Sequence, residues 1–343
     1  MATTALAPNT ISQPPSGAQR TANTAFLAVC TICAWLCLAL VALIVGRITW
    51  TAIPAIRQHG LGFLVGRHWD PNQGLYGILP EIWGTLFSSV LAVIIGGAFG
   101  IAAAIFLSEG FLALGVFAIL RMFKLEHHPF WASVPDRVED LLRNLIELLA
   151  AIPSVVYGLW GIFVVIPLMR PAATWLHGNL GWVPFFGTPL SGPGMLPASL
   201  VLSIMILPTV TALSRDALVA VPSKLRMAAY GMGATRWEAI LAVILPTASR
   251  GVFGAVVLAF GRALGETMAL AMLVGNSGRI SVSLFSPANT LAALLANNFP
   301  EANRKDVGVL MYAALVLLAI TLIVNVIGSL IVQRASGELE AMR

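Results

Sequence analysis

Arg262 and Glu266 stand four residues apart near the centre of the stretch VFGAVVLAFGRALGETMALAMLVGN, which is otherwise built for lipid. A charge at the bilayer midplane costs roughly 3 kcal/mol even on insertion scales, so two such groups are either shielded or used. The spacing puts them one turn apart on one helix face, close enough to pair. A guanidinium offers a planar fork of donors that suits an oxyanion, but a lone one would hold it too firmly for turnover. A neighbouring carboxylate offsets that charge and makes the site weak and transient, as conduction requires. Beside them Gly261 and Gly265 form a G-x-x-x-G step that lets another helix come close. Arg143 and Glu147 repeat the spacing in RNLIELLAAIP. These four residues are the candidates for an anion path. The competing role, locking helices together, weighs more for Arg143–Glu147, which lies nearer the end of its span.

The elements that must carry these residues follow from composition. The chain is 58% hydrophobic and 10% charged, against about 25% charged in an ordinary soluble domain. Apolar stretches near 26–49, 80–107, 141–169, 195–214, 247–275 and 307–333 each approach or exceed the roughly 20 helical residues that cross a hydrocarbon core. The fold class is therefore all-α and polytopic, with six transmembrane helices. The run FLALGVFAIL at 111–120 is too short to cross, at about 15 Å as a helix, and is an interfacial or loop element. Lys and Arg lie modestly in excess on the side that holds the N-terminus, which puts both termini in the cytoplasm.

The expected organisation is a disordered cytoplasmic tail over 1–25, rich in Pro, Ser, Thr, Ala and Gln. A first transmembrane helix and external loop occupy 26–76. A five-helix core covers 77–333, with an insertion near 111–136, and a cytoplasmic tail covers 334–343. Cys30, Cys33 and Cys37 share one face of the first apolar helix and are packing residues, with no disulfide framework indicated. The outer segment 170–194 combines Trp, Phe, Gly and Pro without helical periodicity. It is an aromatic belt or, less simply, a docking surface for an external partner.

Chemistry on other groups is largely excluded. No G-x-x-x-x-G-K-[ST] loop occurs, so any nucleotide site would have to lie on another subunit. The five histidines are scattered, with only His127 and His128 adjacent, and no H-E-x-x-H pattern is present. No cofactor, metal or nucleic-acid partner is expected.

One inner loop, 214–246, carries more information than its length requires. Pro222 and Ser223 start a short helix through Met227–Ala229, Gly231 and Gly233 break it, and an amphipathic stretch returns from Thr235 to Leu245-Pro246. A helix, a glycine turn and a return helix make a knob fit to fill a groove on a cytoplasmic partner. The pattern of Met227, Ala228, Ala229, then Gly233, then Val243-Ile244-Leu245-Pro246 resembles the E-A-A…G…I-x-L-P loop of type I importer permeases of the ATP-binding-cassette class. Met227 stands where that family usually has Glu. The resemblance implies a MetI-like fold and a coupling loop, here Met227, Ala228, Ala229, Gly233, Glu238, Leu245 and Pro246, that docks into an ATPase subunit.

Longer stretches, ELLAAIPSVVYGLWGIF, LVLSIMILPTVTALSRDALVAVP and GRALGETMALAMLVGN, resemble the phosphate importer permeases, and their PstC-type more than their PstA-type subunit. The similarity runs over about residues 60–333 and is weak over 111–136. It implies inorganic phosphate as substrate, with a second permease (PstA-like), an ATPase dimer (PstB-like) that uses the ATP, an external binding protein (PstS-like) and membrane lipid as partners. With phosphate as substrate, the carboxylate of an Arg–Glu pair would also accept a hydrogen bond from the protonated anion and repel fully ionised sulfate. A sulfate or molybdate permease is the alternative; an ion-coupled carrier or channel is a more distant one, having no use for an ATPase-docking knob.

Overall fold

The computed structural model describes residues 16–111 and 134–341. Most of the expected insertion at 111–136, His127-His128, the start of the N-terminal tail and the last two residues lie outside the described residues. Among the described residues the chain is helical, with a single isolated bridge between Asp70 and Leu75. The helices of six residues or more are α1 (Gly17–His59), α2 (Leu79–Ser108), α3 (Val134–Ala151), α4 (Ser154–Leu180), α5 (Met195–Val219), α6 (Ser223–Gly231), α7 (Arg236–Leu264), α8 (Met268–Leu273), α9 (Leu291–Asn298) and α10 (Arg304–Ala341). Six of them, α1, α2, α4, α5, α7 and α10, are long and apolar enough to cross a membrane.

By contacts the chain divides into two compact units, Met1–Thr51 and Ala52–Arg343. The first unit is one exposed helix in its described part, and Cys30, Cys33 and Cys37 on it are free and exposed rather than packed. Residues 17–25, expected to be disordered, are already helical. Their Ala, Thr and Gln residues tolerate helix, and Ser16 exchanges hydrogen bonds with Gln19 at its start.

The second unit is built on α2, α5 and α7. A strip of small residues along α2, including Ala92, Gly96, Gly100 and Ala104, is buried. Lipid gives no hydrophobic drive between helices, so close packing over small residues supplies the attraction. A Cβ on Gly96 would sit 2.6 Å from the Ser203 carbonyl of α5, and one on Gly100 would sit 2.8 Å from Val210. The neighbouring Gly97 would meet only Val93, at 4.0 Å. Gly96→Ala should therefore cost about 1–3 kcal/mol of stability, the usual scale of overpacking, and Gly97→Ala close to nothing. Thermal unfolding of the two variants in detergent measures the difference; equal midpoints would remove this contact from the account.

Two of the expected spans are displaced. The third, expected over 141–169, is instead α4 at Ser154–Leu180, preceded by the separate helix α3. Pro153 disfavours helix at Ile152 and caps α4, so the apolar run is split. Tyr157 spans the break, its hydroxyl donating to the Leu149 carbonyl at 2.8 Å. The fifth, expected over 247–275, begins earlier at Arg236 and ends at Leu264; α8 follows after three residues. Gly275 (φ 99°) and Asn276 (φ 48°) then reverse the chain through two left-handed residues. The segment 170–194 is also more regular than expected, because α4 continues to Leu180. Beyond it, Thr188 bonds Ser283 at 2.6 Å and Leu284 N–H donates to the Phe185 carbonyl at 2.9 Å, which ties this loop to the one after α8.

Both α4 and α7 contain a widened π turn, at Gly161–Val165 and Ile240–Ile244. Each lies immediately before an apolar residue and a proline, Ile166-Pro167 and Leu245-Pro246. Proline has no N–H and its ring crowds the carbonyl one turn back, so the preceding turn opens to accommodate it.

Candidate functional site: the broken helix and the knob

Arg262 lies in the last turn of α7, and the helix ends between it and Glu266. The expected pair is therefore not formed. One-turn spacing brings side chains together only while the helix continues, and here it stops at Leu264. The Arg262 guanidinium is exposed on this chain. Among the described residues its one hydrogen bond is long, 3.4 Å from Nη1 to Thr209 Oγ1 near the middle of α5. Glu266 turns to the next element, where its Oε1 accepts from the Ala269 N–H at 3.4 Å. Gly261 gives the expected close approach, facing the Asn325 side chain of α10, whereas a Cβ on Gly265 would meet only its own helix backbone. A break inside a crossing helix frees backbone groups that are tolerated only where they face protein or a water-lined path.

Arg143 and Glu147 do pair, at 3.0 Å, but on exposed α3 and not inside a crossing helix. An exposed i,i+4 pair of this kind contributes little to stability. The pair borders a small cavity of about 60 Å³ with Arg215 and Asp216 from the end of α5. Arg215 Nε is buried there without a hydrogen-bond partner. The structure thus groups Arg143 and Glu147 with the end of α5 beside the knob, and leaves Arg262 with the broken helix.

The knob has the expected form. Pro222 caps α6, whose N–H-free ring suits a helix start. Gly233 adopts φ 88°, a left-handed conformation that terminates the helix, while Gly231 is simply the last helical residue. Thr235 and Glu238 form a reciprocal capping box that starts α7, with the Thr235 N–H donating to Glu238 Oε2 at 2.7 Å. Ala229 is buried as the knob's inner contact, and Met227, Tyr230, Met232 and Trp237 are exposed. Leu245 and Pro246 carry α7 out of its π turn, so they shape the knob's return and do not belong to its exposed face.

The residue that sequence reasoning missed is Glu109, just past the end of α2. Its carboxylate accepts from Arg226 Nη1 at 2.6 Å across 117 positions, with side-chain exposures of 6% and 20%. Arg226 Nη2 also donates to the Leu218 carbonyl at 2.6 Å, and Arg236 Nη1 donates to the Glu109 carbonyl at 3.3 Å. Phe111 stacks on Trp237 with ring centroids 5.2 Å apart. Glu109 thereby ties both limbs of the knob to the end of α2, and Arg226 ties the first limb to α5.

A helix–glycine–helix knob clamped to a bundle with a broken crossing helix has clear relatives. The family described as the binding-protein-dependent transport system inner membrane component matches residues 130–337. This chain belongs to that family. It is 34% identical to the phosphate transport system permease protein PstC of Xylella fastidiosa over 97% of this chain and 98% of that protein. It is 38% identical to the protein of the same name from Haemophilus influenzae over 86% of each. Among solved structures, an inward-facing MetNI methionine ABC transporter matches at a TM-score of 0.50 and 17% identity, covering 78% of this chain and 99% of that one. That similarity supports the type I importer permease fold alone. As an inner-membrane component of a binding-protein-dependent system, the chain is one part of a transport assembly and a multi-pass membrane protein.

Proposed function

We infer that the chain is the permease subunit of an ATP-driven importer of inorganic phosphate, with both termini and the knob on the cytoplasmic side. The observation that carries the mechanism is the clamped knob, whose exposed Met227, Tyr230, Met232 and Trp237 offer an apolar face to a groove on an ATPase. The substrate rests on the PstC proteins to which the chain is similar over most of its length. A PstA-like permease, a PstB-like ATPase dimer and a PstS-like external binding protein complete the assembly, and ATP is hydrolysed on the ATPase.

The helix α7 supplies the coupling. It begins in the knob at Arg236 and ends at Arg262 and Leu264, a rod of about 40 Å at 1.5 Å per residue. Displacement of the knob moves Arg262 with it, and the π turn at Ile240–Ile244 is the point of give. ATP binding must favour one knob position by a differential interaction. Arg262, Glu266 and the α7–α8 break then present or withdraw an anion site near mid-bundle. Arg143 and Glu147, beside Arg215, line its lower exit.

Uptake by the complex reconstituted with its purified partners, with phosphate, sulfate and molybdate compared, tests the reading. ATP-dependent accumulation of phosphate alone is expected; equal accumulation of sulfate or molybdate would overturn the substrate. The knob has its own test. Gly233→Val forces a β-branched residue to φ 88° and should reduce ATPase association by about tenfold, taking the strain at 1–3 kcal/mol. Gly231→Ala, in open space and at an ordinary φ, should leave association unchanged; Met227→Glu puts a charge on the docking face but restores the residue the family usually carries there, and should be tolerated. Normal association and transport in Gly233→Val would remove the knob from the mechanism.

A further inference from the structure

A polar cavity of about 420 Å³ lies at the end of the bundle opposite the knob, where α2 begins, and no role assigned so far uses it. It is lined by Arg67 and His68 before α2, by Glu81 in the first turn of α2, by Asn276 and Arg279 after α8, and by Asn298 at the end of α9. Glu81 is 1% exposed; the Asn289 side chain lies within reach of its carboxylate, but its Oε2 is buried without a hydrogen-bond partner. A carboxylate serving only the helix N-terminus has no need to be buried. A buried polar group without a partner costs about 1–3 kcal/mol, so this one calls for a ligand.

The walls are held in place. Gly66 and Gly77 cross so closely that a Cβ on Gly66 would lie 2.8 Å from Gly77 Cα, which brings Arg67 and His68 beside the start of α2. Trp69 Nε1 donates to Asn298 Oδ1 at 3.2 Å, and the Tyr76 hydroxyl donates to Asp306 Oδ1 at 2.6 Å. That hydrogen bond, with burial and the Asp306 charge, pushes the Tyr76 phenol up to about 12, so it stays a donor at every physiological pH. On the other side, Asn276 holds the left-handed φ of 48°, Leu291 N–H donates to Thr85 Oγ1 at 2.9 Å, and Gly84 lies against the Asn289 carbonyl. The loop after α8 is thereby pinned over α2, with Gly278 directly above the carboxylate; a Cβ there would lie 3.9 Å from Glu81 Oε1.

The charges select the ligand. Two arginines, Arg67 and Arg279, neither with an ion-pair partner among the described residues, line the same cavity as one carboxylate, so the site favours an anion. In its ionised form Glu81 only accepts, so an anion bound beside that form must bring the proton. Phosphate keeps at least one P–OH at neutral pH; sulfate keeps none. We propose that Arg67, Arg279 and Glu81 form an outer-mouth site for a protonated tetrahedral oxyanion, phosphate, which the guanidinium groups hold while Glu81 accepts its hydroxyl proton and rejects sulfate. Its place at the outer mouth rests on the importer orientation proposed above, whereas its ligand chemistry does not.

The test uses the assembled, purified complex with Cys30, Cys33 and Cys37 changed to Ser and a reporter Gly278→Cys above the carboxylate. Modification of the reporter by a thiol reagent is timed with inorganic phosphate or sulfate at matched ionic strength. Phosphate should slow it about fivefold at about four times its Kd, the factor 1 + [L]/Kd, and sulfate should not. Glu81→Gln should let sulfate protect nearly as well as phosphate. Arg67→Gln and Arg279→Gln, at exposed positions, should each weaken phosphate protection; they keep the test decisive if Glu81→Gln fails to assemble. Equal protection by the two anions with Glu81 intact, or protection by neither, would overturn the site. Radiolabelled uptake by the same complex reports separately on the transport reading, so failure of one is distinguishable from failure of the other.

Discussion

Arg262→Gln should lower phosphate uptake by on the order of 100-fold or more, the scale lost when a positioned donor to an oxyanion is removed, with no loss of assembled complex. The reason is the helix break. Had Arg262 and Glu266 paired inside a continuous helix, removing the guanidinium would strand a buried carboxylate and assembly would fail first. Instead Arg262 is exposed on the chain and makes one long bond to Thr209, and Glu266 is engaged by the Ala269 N–H. The fold thus has little to lose from the substitution. Arg262→Lys keeps the charge but not the planar fork and should recover only part of the uptake. The double variant Arg262→Gln with Glu266→Gln separates the roles: absent transport with normal assembly supports an anion function. Uptake restored to near the parental rate would show that the two charges answer only to each other, and would end the assignment of Arg262 to the path.

Glu109→Gln should have a comparable effect by a different route, releasing the knob and uncoupling the ATPase. The carboxylate is almost fully buried against Arg226, so its loss leaves a largely buried guanidinium with neutral acceptors, the Leu218 carbonyl among them, and no counter-charge. Breaking one side of a buried pair costs about 3–5 kcal/mol, a large part of a typical stability margin. Removing both charges in Glu109→Gln with Arg226→Met relieves the stranded charge. That double variant should restore the amount of folded chain but not full ATPase association, because Arg226 also held Leu218. Co-purification of the ATPase and uptake are the two readouts. Normal coupling in the single variant would show that Phe111–Trp237 stacking and the Arg236 contact position the knob without the ion pair.

The knob was legible in the amino-acid sequence because each of its signals acts over four residues or fewer. Pro at a helix start, Gly at a left-handed stop and the Thr235–Glu238 capping box are local devices, and distant contacts change them little. The six crossing helices were legible for a similar reason: a length of apolar residues is sufficient, whatever packs beside it. The ends of those helices were not. Whether RNLIELLAAIP and the run after it make one helix or two depends on how Pro153 and Tyr157 resolve the junction. Whether Arg262 and Glu266 share a helix depends on a stop at Gly265 that Gly261, one turn earlier and alike in sequence, does not make. Gly96 and Gly97 are adjacent and alike in sequence, yet only Gly96 meets the backbone of α5, a distinction made by helix rotation alone. Glu109 and Arg226, 117 positions apart, are two ordinary surface-type residues until α6 folds against the end of α2 and buries them together. Glu81 carries the clearest helix-start signal, an acid in the first turn. Only the loop folded over it by Gly84, Gly275 and Asn276 makes it a buried acceptor, because burial is a property of what lies above a side chain, and the neighbours along the chain do not decide that.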